Sequence, residues 1–206
     1  MSTYEEMTAR IADELARADI TTQIRRSIIT AINYYERERF YFNESRDTMF
    51  QTVPDQEFYS TFTGMSGIVM IDNITKDIGT DREALVPRDY EQMEGTSDTT
   101  NTSEPTDYCV YGKELRLYPI PDATYSMHIS CVKRLPTLSA STDDNAWTND
   151  AEALIRMAAK YDLLTNVIRD FDEADRIRPM LDAEYSKVKQ ETLSRHEPST
   201  ILYTEF

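Results

Sequence analysis

The sequence predicts an α+β fold: a helical core of about four helices, two N-terminal and two C-terminal, with an inserted antiparallel β region. Three observations carry this. Apolar residues recur at spacings of three and four over residues 1–45 and again over 141–196, the period of an amphipathic helix. Between them, residues 46–140 hold short runs rich in β-branched and aromatic residues, cut by glycine and proline. Within that stretch, Gly112-Lys113 separates two alternating runs, the mark of a tight hairpin. Residues 197–206 follow Pro198 and read as an extended tail.

The first helix is expected over residues 3–18, with Tyr4, Met7, Ile11 and Leu15 on one stripe. Either Ser2 with Glu5 or Thr3 with Glu6 has the spacing of a capping box. The run Asp19-Ile20-Thr21-Thr22 interrupts the pattern and offers a new cap, after which Ile24, Ile28, Ala31, Ile32 and Tyr35 share a face. So short a link makes the pair a helical hairpin. Strands are expected at 48–53, 58–62, 68–71, 108–111, 114–118 and 125–134. Residues 95–106 contain no large apolar side chain to offset ordering entropy, so they are expected to form a mobile surface loop in the isolated subunit, the alternative being a segment that orders on a partner. Near the C-terminus, Asn149 and Glu152 suggest a cap for a helix carrying Leu154, Met157, Ala158, Tyr161, Leu164 and Ile168. A last helix carries Ile177, Leu181, Tyr185 and Val188, and Pro179 requires its first turn or a kink.

Composition narrows the function classes. There are 37 acids against 22 bases, a formal net charge of -15. Nonspecific DNA affinity comes from lysine and arginine displacing counterions, so the acidic excess argues against a DNA or anionic-membrane binder. Repulsive walls would suit a channel that DNA must slide through. No apolar run approaches the ~18 residues of a membrane span, and the N-terminus lacks a signal-peptide pattern. Cys109 and Cys131 read as buried thiols on strands.

Catalytic motifs are scarce. His128 and His196 lack metal-ligand neighbours at the spacings zinc requires. Gly64-Met65-Ser66-Gly67 is one residue short of a nucleophile elbow and reads better as a turn. Asp143-Asp144-Asn145 lacks the alternating ligands and glycine of a calcium loop, and acids before a helix complement its dipole in any case. The expectation is no enzyme, no metal and no cofactor.

The most unusual stretch is residues 34–42, Tyr-Tyr-Glu-Arg-Glu-Arg-Phe-Tyr-Phe. If the second helix persists to Phe42, Glu38 falls between Tyr34 and Tyr41, and Arg39 between Tyr35 and Phe42, with Arg39 able to stack on either ring. A helix that instead frays near Arg39 would pack residues 40–42 at the base of the sheet. Tyrosine, phenylalanine and arginine are enriched at interfaces. Tyr34, Tyr35, Arg37, Glu38, Arg39, Tyr41 and Phe42 are therefore candidate contacts with another subunit. Ile201, Leu202, Tyr203 and Phe206 in the tail join them, since a terminal strand can add to a partner's sheet edge.

Three blocks resemble the phage head-to-tail adaptor (connector) proteins, in family order. They are residues 20–44 (ITTQIRRSIITAINYYERERFYFNE), 111–138 (YGKELRLYPIPDATYSMHISCVKRLPTL) and 144–170 (DNAWTNDAEALIRMAAKYDLLTNVIRD), about two-fifths of the chain. Residues 95–106 and the last ten match no pattern of that family. The resemblance implies a structural protein of the tailed-phage virion, assembled in the host cytoplasm. There a ring of about twelve neighbouring copies sits beneath the portal protein. The ring would extend the DNA channel without binding DNA specifically, and would dock downstream tail or nozzle proteins. The competing expectation is a soluble, non-catalytic binding or assembly module that is not retained in the virion.

Overall fold

The computed structural model describes residues 2–60, 65–96, 98 and 100–196. The chain forms two units, Met1–Asn43 with Leu135–Phe206, and Glu44–Arg134.

In the first unit, helix α1 (Tyr4–Glu14) starts on the Thr3–Glu6 box: the Thr3 hydroxyl accepts from the Glu6 amide, and the Glu6 carboxylate accepts from the Thr3 amide. Ala16 at φ 51° then turns the chain. Helix α2 (Thr21–Tyr35) follows without a side-chain cap; Thr21 donates back to the Ala18 carbonyl instead. The expected cap is absent because a 3-10 turn, Ala18–Ile20, feeds directly into the helix. A second cap was also misplaced. Asn145, not Asn149, accepts from the Trp147 amide and opens a short helix α4 (Ala146–Asn149); α5 (Glu152–Asp162) has no side-chain cap. A π-helical stretch, Leu163–Ile168, ends at Arg169 in the left-handed region.

The long helix α6 (Phe171–His196) holds Pro179 in its interior rather than its first turn. Both Pro179 and Asp175, the residue whose carbonyl loses its donor, are exposed, so water can satisfy that carbonyl. The core of this unit joins Met7 and Ile11 of α1, Ile24 and Ile28 of α2, and Leu154, Ile155 and Ala159 of α5 around Trp147. Ile177 of α6 packs with Leu164 and Ala174 in a smaller cluster.

In the second unit, β1 (Glu44–Gln51), β10 (Ser126–Lys133), β3 (Ile68–Ile78) and β4 (Asp81–Ala84) form one sheet in that order. The other sheet runs β2 (Phe58–Ser60), β8 (Glu114–Tyr118), β7 (Asp107–Tyr111) and β5 (Val86–Pro87). Inward-facing Phe50, Ile74, Met127 and Ile129 from the first sheet meet Tyr59, Tyr108, Leu115 and Leu117 from the second. The β7–β8 hairpin has the expected two-residue turn: Tyr111 pairs with Glu114, and Gly112 takes φ 62°, which glycine adopts without strain.

Sequence and structure differ further in helix number, strand length and strand direction. Six α-helices are present among the described residues, against about four expected; one of the extra pair is α4, and the other is α3 (Tyr90–Thr96) inside the β unit. Helix α3 was invisible to periodicity because Met93 is its one buried apolar side chain. Strand β3 runs eleven residues, far past Ile71, since its polar half is paired to β10 on one side and β4 on the other. Not every pairing is antiparallel: β5 pairs β7 in parallel, and so do β6 (Thr102–Ser103) and β9 (Ile120–Pro121).

Among the described residues of this unit, Lys76 and Arg116 are buried cations. Lys76 lies 1% exposed between the carboxylates of Glu83 (3.2 Å) and Glu104 (2.9 Å) and donates to the Pro105 carbonyl (3.0 Å). Arg116 bridges Glu57 (2.5 Å) and Glu94 of α3 (2.8 Å) beneath the Phe58 ring. Lys76 thereby holds part of the segment whose composition offers no apolar anchor. His128 is buried on the central strand β10, with Asp77 at 2.7 Å. The tail residues 197–206 and residues 61–64 lie outside the described part of the chain.

Candidate functional site

Helix α2 stops at Tyr35 with Glu36 as its cap, so residues 38–42 do not continue its stripe. The chain turns sharply. Asn43, 2% exposed, accepts from the Phe40 amide (2.8 Å) and donates to the Glu38 carbonyl (2.7 Å), clamping the turn from within.

What receives this turn is one stripe of α6. The Tyr185 hydroxyl donates to the Glu38 carboxylate (2.7 Å), and Lys189 pairs with that carboxylate (2.7 Å) while also donating to the Arg39 carbonyl (3.1 Å). Thr192 accepts from the Tyr41 amide (3.2 Å). The Arg195 guanidinium lies 3.9 Å from the Tyr41 ring centroid, and Lys189 lies 4.6 Å from that of Phe40. Positions 185, 189, 192 and 195 recur at three to four residues, so one helix face presents all these groups. Tyr35 stacks on Tyr185 at 5.8 Å, and Phe40 and Phe42 meet Trp147 edge-on at 5.6 and 5.0 Å. Residues 40–42 thus pack within the helical unit rather than at the base of the sheet.

The electrostatics are those of a structural joint. Burial, reinforced by the nearby Tyr34 and by Glu38, pushes the Tyr35 phenol up to about 12. Burial and its hydrogen bond to Glu38 push Tyr185 up to about 12 as well. Burial and Asp150, which accepts its hydroxyl at 3.1 Å, raise Tyr41 further. All three phenols are neutral at physiological pH, and those of Tyr185 and Tyr41 donate to Glu38 and Asp150. Elsewhere, burial raises the thiols of Cys109 and Cys131, both free, which disfavours the reactive thiolate. Among the described residues no group of three or more His, Cys, Asp or Glu could hold a metal ion, and no helix is long and apolar enough to cross a membrane.

The sequence candidates therefore divide. Tyr35 is buried; Glu38, Arg39, Tyr41 and Phe42 are half-buried in the joint; Tyr34 (69% exposed) and Arg37 face solvent. Ile201, Leu202, Tyr203 and Phe206 lie outside the described residues. Sequence reasoning missed Lys189, Thr192 and Arg195, whose helical spacing from Tyr185 was the available signal.

A family model described as SU10 adaptor protein matches residues 2–197, spanning both units. The chain belongs to the SU10 adaptor protein family. This makes it a bacteriophage adaptor and a component of the virion, in line with the resemblance of its three sequence blocks to head-to-tail adaptors. No curated protein matches the adaptor significantly.

Proposed function

We propose that this adaptor forms a ring of about twelve copies beneath the portal protein, extends the DNA channel, and docks downstream tail or nozzle proteins. The family match over residues 2–197 carries this reading. A rigid joint of neutral phenols and compensated charges supports it as a scaffold rather than a catalyst. DNA passes through without specific binding, because the net charge of -15 repels phosphates. The tail residues 199–206 are the proposed portal- or neighbour-binding strand, apolar and following Pro198.

Quantitative mass spectrometry of purified virions is expected to find the adaptor at the portal's copy number. Its absence from virions would instead make it an assembly module. Deleting residues 199–206 is expected to abolish attachment to portal in a pull-down; undiminished attachment would remove the tail from the proposal.

A further inference from the structure

The outer side of α2 stands apart from the rest of this acidic protein. No carboxylate occurs between Asp19 and Glu36. Arg26, Thr30, Asn33, Tyr34 and Arg37 are exposed at spacings of three and four, so they share one face; Arg37 lies just beyond the helix end. Arg26 and Arg37 have no carboxylate within ion-pairing distance among the described residues, whereas the exposed Arg10, Arg82, Arg88, Arg176 and Arg195 each have one. Tyr34 supplies an exposed ring held edge-on to Tyr35 at 5.0 Å. A preset aromatic flanked by two uncompensated guanidinium groups is the composition of an interface centre.

The opposite character lies on α6 of the same unit. Phe171, Asp175, Asp182 and Leu193 are exposed along one edge of α6, beside the stripe that carries Tyr185 and Lys189, with Phe171 61% and Leu193 64% exposed. Asp172 adds charge at its edge, and Arg178 on the same side leaves the face net negative. Among the described residues, none of these three aspartates has a cation within ion-pairing distance.

We infer that the α2 face of one copy docks on the α6 face of a second copy. The inference rests on the ring reading above and names the surfaces that close it. Two unlike, complementary patches on one chain are what head-to-tail closure requires, whereas a two-fold dimer needs one self-complementary patch. Apolar contact would come from Tyr34 against Phe171 or Leu193, and register from the arginine–aspartate pairs. Pairs of this kind at an interface rim weaken as salt rises.

The test is a charge swap in the full-length chain, read as copy number in purified particles and as oligomeric mass by light scattering. The Arg26→Glu, Arg37→Glu variant is expected to raise the concentration for half-assembly on the order of tenfold or more, with helical circular dichroism and thermal midpoint unchanged. Adding Asp175→Lys and Asp182→Lys to the same chain is expected to restore assembly. Assembly untouched by the first pair overturns the inference, as does loss that the second pair fails to restore. Intact assembly with weaker retention of double-stranded DNA would assign the α2 face to nucleic acid and also overturn it. A wild-type chain absent from particles, or never oligomeric, would refute the ring itself; that result is visible without any variant.

Discussion

At the scale of single residues, the decisive facts concern where charges find partners. Glu38 sits between Arg37 and Arg39 in the chain, yet its carboxylate is satisfied by Tyr185 and Lys189 of α6. Lys189 reaches Glu38, the Arg39 carbonyl and the Phe40 ring at once. Truncating Lys189→Ala should cost on the order of 1–2 kcal/mol of stability, since a partly buried carboxylate loses its cation; a urea midpoint shift measures this. The Arg39 carbonyl accepts from Lys189, a contact any residue at that position supplies. Arg39→Ala is expected to weaken ring assembly more than monomer stability, and equal losses in both would make Arg39 a core residue. The contrast between the two variants separates the joint inside one copy from the surface between copies.

At the scale of elements, strand β3 shows how a polar segment becomes central. Its second half, Asn73 to Asp77, has no apolar alternation, but pairing to β10 and β4 satisfies its backbone on both edges. Lys76 points inward beside Ile74 and draws Glu83 and Glu104 over it. The two ways of breaking this cluster differ in cost. Lys76→Met leaves two carboxylates that are already half-exposed to water, so it should be nearly neutral in stability. Glu83→Gln with Glu104→Gln strands a buried ammonium and should cost on the order of 2–3 kcal/mol. Thermal unfolding of both variants checks this asymmetry; equal effects would mean that the charge is compensated elsewhere.

At the scale of the whole molecule, the helical unit is assembled from two distant stretches of chain, Met1–Asn43 and Leu135–Phe206. Trp147, 1% exposed, is where they lock: Phe40 and Phe42 from the first stretch meet its ring, and Trp147 is the sole tryptophan of the chain. Trp147→Ala should cost about 3–5 kcal/mol, followed by helical circular dichroism during denaturation, while Trp147→Phe should lose less. A cost within measurement error for the alanine variant would show that the two stretches are held by other contacts. The inserted β unit has its own core around Leu117 and Ile129.

Much of the architecture was legible in the sequence, because periodicity records which side of an element faces the core. The α+β class, the helical hairpin, the β7–β8 turn and the buried thiols follow from local pattern alone. So did the choice of residues 34–42 as unusual, and the family resemblance that the match over residues 2–197 bears out. Capping, strand length and α3 were not legible, since Asn145, the polar half of β3 and Met93 are defined by partners far along the chain. The same holds for the aromatic run. Its composition marked all seven residues alike, and the tertiary structure sorted them, burying Tyr35 and fastening Glu38 to Lys189 while leaving Tyr34 and Arg37 at the surface. A local pattern specifies which residues can bury; only the packing of distant segments decides which of them do, because burial and charge compensation are properties of pairs.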